Sequence, residues 1–285
     1  MILEETFALS NGVTIPKLGL GTWLVPDDEV AGLVRNAIEI GYRHIDTAQA
    51  YGNERGVGEG LRASGIARDE IFLTTKLAAE SKSFADARSR IDGSLVALAV
   101  DHIDLMLIHS PQPWSEFRKG EHFLEGNLEA WRALEEAHAA GKVRAIGVSN
   151  FERVDLDNIL DNATVRPTVN QILAHVGNTP FDVIDYSKSK DILVEAYSPV
   201  AHGAVLNNRN LAAMAEGYGV SVAQLCIRYC LQLGLVPLPK TTNPAHMRAN
   251  VAVDFTISDT DMETLMNADR DTDYGEASKF PVFGG

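Results

Sequence analysis

Along most of the chain, short apolar runs alternate with longer segments whose apolar positions recur at helical spacing. The runs predict strands at Lys17–Thr22, Arg43–Asp46, Ile71–Thr75, Ile103–Ile108, Val143–Val148, Thr168–Gln171, Ile192–Ala196 and Leu235–Leu238. Helices are expected between them at about 27–40, 54–64, 85–99, 128–140, 154–160 and 181–189. The first is capped by Asp27-Asp28, and Gly65 and Gly141 end the second and fourth. Two helical segments, 211–218 and 222–233, fall between the last two strands, and two more, 244–250 and 259–268, precede an irregular tail, 269–285. Ahead of the first strand, Thr6–Ile15 holds two apolar runs around Asn11-Gly12, a strong hairpin signal.

Eight strand–helix repeats with right-handed crossovers close naturally on themselves, so the expected fold is α/β, a (β/α)8 TIM barrel. The hairpin would plug its bottom. With no linker or low-complexity stretch, 1–285 reads as a single domain. Two segments break the rhythm, 110–127 and 200–210; they read as long loops on the mouth side, with Trp114 and Phe117 forming a pocket wall.

Composition changes this picture little. The chain has 285 residues, 45% hydrophobic and 22% charged, as an ordinary globular protein does. Its net charge of -14 argues against nucleic acid and requires a local positive cluster wherever an anion is to be held. Cys226 and Cys230, four apart in an apolar helical run without a neighbouring His or Cys cluster, read as buried reduced thiols; no metal is expected. MILEETFALS lacks the features of a leader peptide, and no apolar run is long enough to span a membrane. A cytoplasmic monomer is the default expectation.

The candidate chemistry lies at strand ends. Asp46 closes the second strand and Tyr51 follows on its loop; Lys76 follows the third strand and His109 the fourth. Singly, each has an ordinary use as a cap, a packing ring, a surface charge or a loop histidine. Their repetition at corresponding ends of adjacent strands points to one mouth. An ammonium at Lys76 would favour the Tyr51 phenolate and lower its pKa, while Asp46 would keep the amine charged and oriented. His109 would donate to a substrate oxygen. The group suits protonation of a carbonyl oxygen while a cofactor supplies hydride to the carbon, since no side chain can do so.

The cofactor site is less legible. Gly56-Val57-Gly58-Glu59-Gly60 lacks the spacing of a dinucleotide-binding turn and reads as helix-packing glycines. Ser149, Asn150 and Gln171 suit a carboxamide, Tyr197 offers a face for a nicotinamide ring, and Lys240, Thr241 and Thr242 precede a helix N-terminus suited to phosphate.

In GYRHIDTAQAYGNE (41–54), TTK (74–76), LIHSP (107–111), AIGVSNF (145–151), VNQ (169–171), AYSP (196–199) and LPKTT (238–242), the chain resembles the aldo-keto reductases, most closely the bacterial branch that includes 2,5-diketo-gluconate reductases. The resemblance covers essentially the whole length. It implies reduction of aldehydes and ketones with NADPH extended across the barrel mouth, with Asp46, Tyr51, Lys76 and His109 as catalytic tetrad and Tyr51 as general acid. It implies a nicotinamide site of Ser149, Asn150, Gln171 and Tyr197, and contacts from Lys240 and Thr241 to an adenosine 2′-phosphate. Thr22, Trp23, Asp46, Ser198, Pro199, Thr242, His246 and Asn250 complete the implied cofactor-binding set, and Trp23, Tyr51, His109 and Trp114 the substrate-binding one.

Two positions depart from the family pattern. His246 stands where the family commonly has an arginine on the 2′-phosphate, and Ala249 where a glutamate usually faces the adenine. Arg248 is displaced by more than half a helical turn from the arginine position. A histidine is mostly neutral above pH 7 and cannot reproduce a bidentate guanidinium contact, so weak NADPH preference with NADH also used is expected. Two other functions share such a site: a Schiff-base aldolase using Lys76, and a redox-sensing module that binds cofactor with little turnover.

Overall fold

In the computed structural model, which describes residues 1–283, the chain forms a two-stranded hairpin and an eight-stranded parallel sheet. The hairpin strands β1 (Thr6–Ala8) and β2 (Thr14–Pro16) pair antiparallel about Asn11-Gly12. The barrel strands are β3 (Leu20–Gly21), β4 (His44–Asp46), β5 (Phe72–Leu77), β6 (Ile103–Ile108), β7 (Val143–Ser149), β8 (Val169–Leu173), β9 (Leu193–Tyr197) and β10 (Val236–Leu238). They pair in sequence order, and the ring closes where Gly19 and Gly21 donate to the carbonyls of Pro237 and Pro239 at 3.2 Å. The closing seam is sparse because Pro237 and Pro239 have no N–H to return. A side chain at Gly19 would strike Leu238 and His44, with its Cβ 2.5 and 2.7 Å from them, so this close approach requires glycine.

β5 and β6 are buried along their whole length, as expected for strands with helices outside and packed side chains inside. The helices α1 (Asp27–Ile40), α2 (Glu54–Ser64), α3 (Phe84–Leu98), α4 (Leu124–Ala139), α5 (Arg153–Asn162), α6 (Phe181–Ser189), α7 (Arg209–Gly217), α8 (Val222–Gln232), α9 (Pro244–Val251) and α10 (Asp259–Met266) follow the expected order. The glycines of α2 are packing positions: a Cβ on Gly56 or Gly58 would sit 2.1 or 2.0 Å from a carbonyl oxygen of Asp27 or Leu98. Leu9 and Ile15 of the hairpin join Phe72, Leu105, Leu107, Ala145 and Val169 in one cluster, the plug at the base of the barrel.

Some boundaries depart from expectation. β3 is two residues long, because the chain from Lys17 onward pairs only where it meets β4. α4 starts at Leu124, four residues before the expected start, and is entered through Phe123 at φ 49 rather than through a capping side chain. Gly126, which reads as a loop residue, lies in this first turn because a Cβ there would be 2.8 Å from Lys82. The segment after β9 coils into tight turns through 201–207, with His202 and Gly203 left-handed. The tail expected to be irregular makes two turns, Gly275–Lys279 and Pro281–Phe283, and buries Tyr274 and Phe283 in the C-terminal core cluster; Gly284 and Gly285 lie outside the described residues. Cys226 and Cys230 are free and buried in that cluster, and burial pushes the Cys226 thiol up to about 12.

Candidate active site

Parallel register carries the four candidate residues to one place. Asp46, the last residue of β4, pairs with Thr74 of β5, and Lys76 lies two residues further along the same inward face. Lys76 is fully buried, with Nζ donating to Asp46 Oδ1 at 2.6 Å, to the Thr47 carbonyl at 2.9 Å and to Tyr51 Oη at 3.1 Å. Its three protons therefore each have an acceptor, as a buried ammonium requires. Tyr51 ends a single turn, Gln49–Tyr51, that Gly52 closes in the left-handed conformation at φ 68.

The loop carrying Tyr51 is braced on both sides by residues that its sequence does not single out. Gln49 accepts from the Ala78 amide at 2.9 Å and donates to Ser94 Oγ at 2.9 Å. Asn53, buried, donates to the carbonyls of Thr22 and Val25 at 2.9 and 3.0 Å and accepts from Thr47 Oγ1 at 2.7 Å. His109 stands edge-on between Tyr51 and Trp114, with ring centroids 5.6 and 5.0 Å away.

The protonation states follow from burial and charge. Burial pulls Lys76 down, but the Asp46 carboxylate and the Tyr51 hydroxyl outweigh it, and the ammonium is held above its ordinary range. For Tyr51 the balance is the reverse of the expectation. Burial raises the phenol, and the Lys76 ammonium, which does act to lower it, does not overcome that. Burial, then the Lys76 charge, holds His109 well below the usual imidazole range, so its ring is neutral. Among the described residues His109 Nδ1 is buried without a partner; an orphaned donor is the rarer defect, so the ring proton is assigned to Nε2, the nitrogen left for the cavity.

These residues open on a cavity of about 920 Å³ across the C-terminal ends of the strands. One wall holds Trp23, Tyr51, His109 and Trp114, all the residues expected to meet substrate, together with Phe280 and Phe283 from the tail. Ser149, Asn150, Gln171, Tyr197, Ser198 and Pro199 line the middle, and Lys240, Thr241, His246 and Asn250 the far end. Tyr197 donates to Asn150 Oδ1 at 2.7 Å, and Asn150 Nδ2 donates to the His109 carbonyl at 3.0 Å, tying the middle of the cavity to the acid–base corner.

Two expected cofactor residues do not line it. Thr22 is fully buried and its hydroxyl is committed to the Asp46 carbonyl at 2.9 Å, so it braces the tetrad while its neighbours Gly21 and Trp23 face the cavity. Thr242 is exposed, the chain having turned toward the N-terminus of α9 before reaching it. Arg248 is likewise exposed and absent from the lining, whereas His246 and Ala249 are part of it.

Other lining residues carry no motif of their own: His202 and Leu206 lie on the 200–210 segment expected at the mouth, and Ser221–Ala223 lie at the start of α8, which the folded chain brings there. His202 accepts from or donates to Ser198 Oγ at 3.0 Å; burial first, then His175 and Lys240, pull it down to about 4, so it is neutral.

An eight-stranded parallel barrel with a buried ammonium–carboxylate–phenol cluster at its C-terminal mouth belongs to the barrel oxidoreductases. The aldo/keto reductase family profile matches residues 17–270, and the chain belongs to that family. It is 38% identical over 275 residues to a glyoxal reductase of Bacillus subtilis, covering 96% of each chain. It is also 38% identical over 272 residues to a 9,11-endoperoxide prostaglandin H2 reductase of Trypanosoma cruzi, covering 94% of this chain and 92% of that one. Among solved structures, an aldo-keto reductase of Bombyx mori in complex with NADP superposes with a TM-score of 0.87 at 31% identity, covering 99% of both chains.

Proposed function

We propose that the chain reduces aldehydes or ketones to alcohols, with a reduced nicotinamide cofactor as hydride source and Tyr51 as proton donor. The observation that carries this reading is the Lys76 ammonium, bonded at once to a buried carboxylate and to a phenol, Tyr51, on the cavity wall beside a neutral histidine. The cofactor, when bound, supplies hydride to the carbonyl carbon.

The chain's own residues do the rest. His109 Nε2–H donates to the carbonyl oxygen and fixes it near Tyr51. As negative charge develops on that oxygen, Tyr51 gives up its proton and the resulting phenolate is stabilised by the Lys76 ammonium. The raised ground-state pKa of Tyr51 fits this order of events, since the proton is retained until an alkoxide-like oxygen, much the stronger base, is there to take it. The C–H and O–H bonds formed complete the alcohol.

The cavity suits an extended dinucleotide. Tyr197 and the polar side chains of Ser149, Asn150 and Gln171 suit a nicotinamide and its carboxamide. Lys240, Thr241 and the N-terminus of α9 suit phosphate, and NADP in the Bombyx mori relative supports this class of cofactor. His246 at that end supports weak NADPH preference with NADH also accepted; losing one charged hydrogen bond of about 1.5–3 kcal/mol corresponds to roughly 10–100-fold in preference.

Near Tyr51 the wall is aromatic, and the lysine lining the cavity, Lys240, lies at the cofactor end. This favours uncharged carbonyls over sugar acids, and therefore speaks against the diketo-gluconate branch; the Bacillus subtilis relative's name makes small dicarbonyls the first to test.

Nicotinamide absorbance with a panel of neutral and acidic carbonyls, using NADPH and NADH, tests the whole reading. Turnover of neutral aldehydes or ketones is expected. Tight cofactor binding without turnover of any carbonyl would instead mark a sensing module. The aldolase reading has Lys76 against it, since Schiff-base chemistry needs a neutral amine and this one is held charged.

A further inference from the structure

Beneath the tetrad, inside the barrel, lies a second titratable pair that the proposed mechanism leaves idle. Glu195 on β9 and His44 on β4 are both fully buried, with His44 Nε2 3.6 Å from Glu195 Oε1. Each has an atom without a hydrogen-bond partner among the described residues, His44 Nδ1 and Glu195 Oε1. The other Glu195 oxygen accepts from Gln171 Nε2 at 2.8 Å, and the same nitrogen donates to Asp46 Oδ2 at 2.9 Å.

The two protons of the Gln171 amide are thus spent on two carboxyl groups. The reverse orientation of the amide would set its oxygen against both, so nitrogen inward is the assignment the chemistry requires. What remains for a ligand is the carbonyl oxygen, an acceptor matched to the NH2 of a carboxamide.

We propose that Glu195 is a positioning residue: from behind Gln171 it fixes which end of that amide faces the cofactor, and through its own proton it sets the relative affinity for the oxidised and reduced nicotinamide. The inference rests on the cavity being a nicotinamide site.

Two carboxyls sharing one amide nitrogen cannot both ionise cheaply in a buried site. Asp46 has the Lys76 ammonium at 2.6 Å, whereas the imidazole nearest Glu195, His44, is pulled down to about 3 by burial and the Lys76 charge and offers it no cation. Burial, then the Asp46 charge, accordingly raises Glu195 to about 8. The charged and titratable groups facing it are Asp46 and His44 from β4 and Lys76 from β5; β8 offers the neutral amide of Gln171, and β10 pairs Val236 with it. Below pH 8 the layer under the cavity therefore carries one negative and one positive charge. Above it, loss of the Glu195 proton to solvent adds a second negative charge. The oxidised nicotinamide ring is cationic and the reduced ring neutral, so ionised Glu195 favours the oxidised form.

The test measures dissociation constants of NADP and NADPH by quenching of intrinsic fluorescence between pH 6.5 and 9.5. The ratio of the two cancels titration at the phosphate end, where both forms are alike. In the wild type, preference should move toward NADP by roughly fivefold to twentyfold through an inflection near pH 8, as one added charge within about 10 Å implies. In Glu195→Gln, which keeps the acceptor and cannot ionise, the ratio should be flat. Glu195→Ala should weaken both forms severalfold, and Glu195→Gln should restore the affinity. A flat wild-type ratio, or an inflection that persists in Glu195→Gln, overturns the inference while leaving the reductase reading intact. Failure of both cofactor forms to bind overturns both.

Discussion

The two ends of the cavity are built to different standards. At the acid–base corner, Lys76 and Asp46 are buried and linked to each other, to Tyr51 and to the backbone. At the opposite end, Lys240 and His246, the groups proposed to meet phosphate, are exposed. Between them, Ser198, Ala201 and His202 hold left-handed backbone at φ 53, 48 and 53, conformations that L-residues adopt at a cost. Groups that must stand in a fixed relation to a reacting atom are preorganised, and their removal should abolish turnover. Groups that only hold a charged handle are solvated, and exchanging them should retune affinity and leave the chemistry alone.

The sharpest way to break that contrast is Tyr51→Phe. It should lower kcat by about 10³-fold, within the range of general-acid catalysis, while the cofactor dissociation constant stays within twofold. Undiminished turnover in a folded protein would remove Tyr51 from the mechanism.

Next comes Lys76→Met, which leaves the Asp46 carboxylate buried with only the Gln171 amide beside it. A loss of about 3–5 kcal/mol in unfolding free energy is expected together with loss of activity, because breaking one side of a buried pair strands the other charge. Chemical denaturation of the two proteins side by side checks it.

At the solvated end, His246→Arg should raise kcat/KM with NADPH by about 10–100-fold and leave NADH within a factor of two, with no change in thermal stability. An equal gain with both cofactors would mean that His246 does not meet the 2′-phosphate.

A further prediction concerns stability and pH. Glu195 is raised from 4.5 to about 8 on folding, so its contribution to stability is intact below about pH 4.5 and is lost as pH climbs to about 8. Glu195→Gln should therefore be more stable than the wild type by about 2–4 kcal/mol at pH 8.5, an advantage that shrinks as pH falls toward 5. A constant difference across that range would mean the carboxyl does not hold its proton.

The contrast also explains what could be read without coordinates. Asp46, Tyr51, Lys76 and His109 were legible because each lies at the C-terminal end of a strand or on the loop after it, and strand ends in a barrel share a mouth whatever the loops do. The plug was legible from Asn11-Gly12. The start of α4 was not, since it depends on Gly126 fitting against Lys82, a contact between distant segments. Likewise the role of Thr22 is set by the Asp46 carbonyl that its hydroxyl finds. The sign of the Tyr51 shift needed the depth of burial, which no spacing encodes. The Glu195–His44 pair went unnoticed because both sit inside ordinary apolar strand runs, and only ring closure brings β4 opposite β9.

The turn Pro281–Phe283 has a practical consequence. Phe283 packs against Trp23 and Tyr197, with ring centroids 5.7 and 6.2 Å apart, so the turn itself stands at the mouth of the cavity. A purification tag fused after this turn would crowd that doorway. Fused ahead of β1, at the plugged floor, the same tag would stand a full barrel height from the reaction.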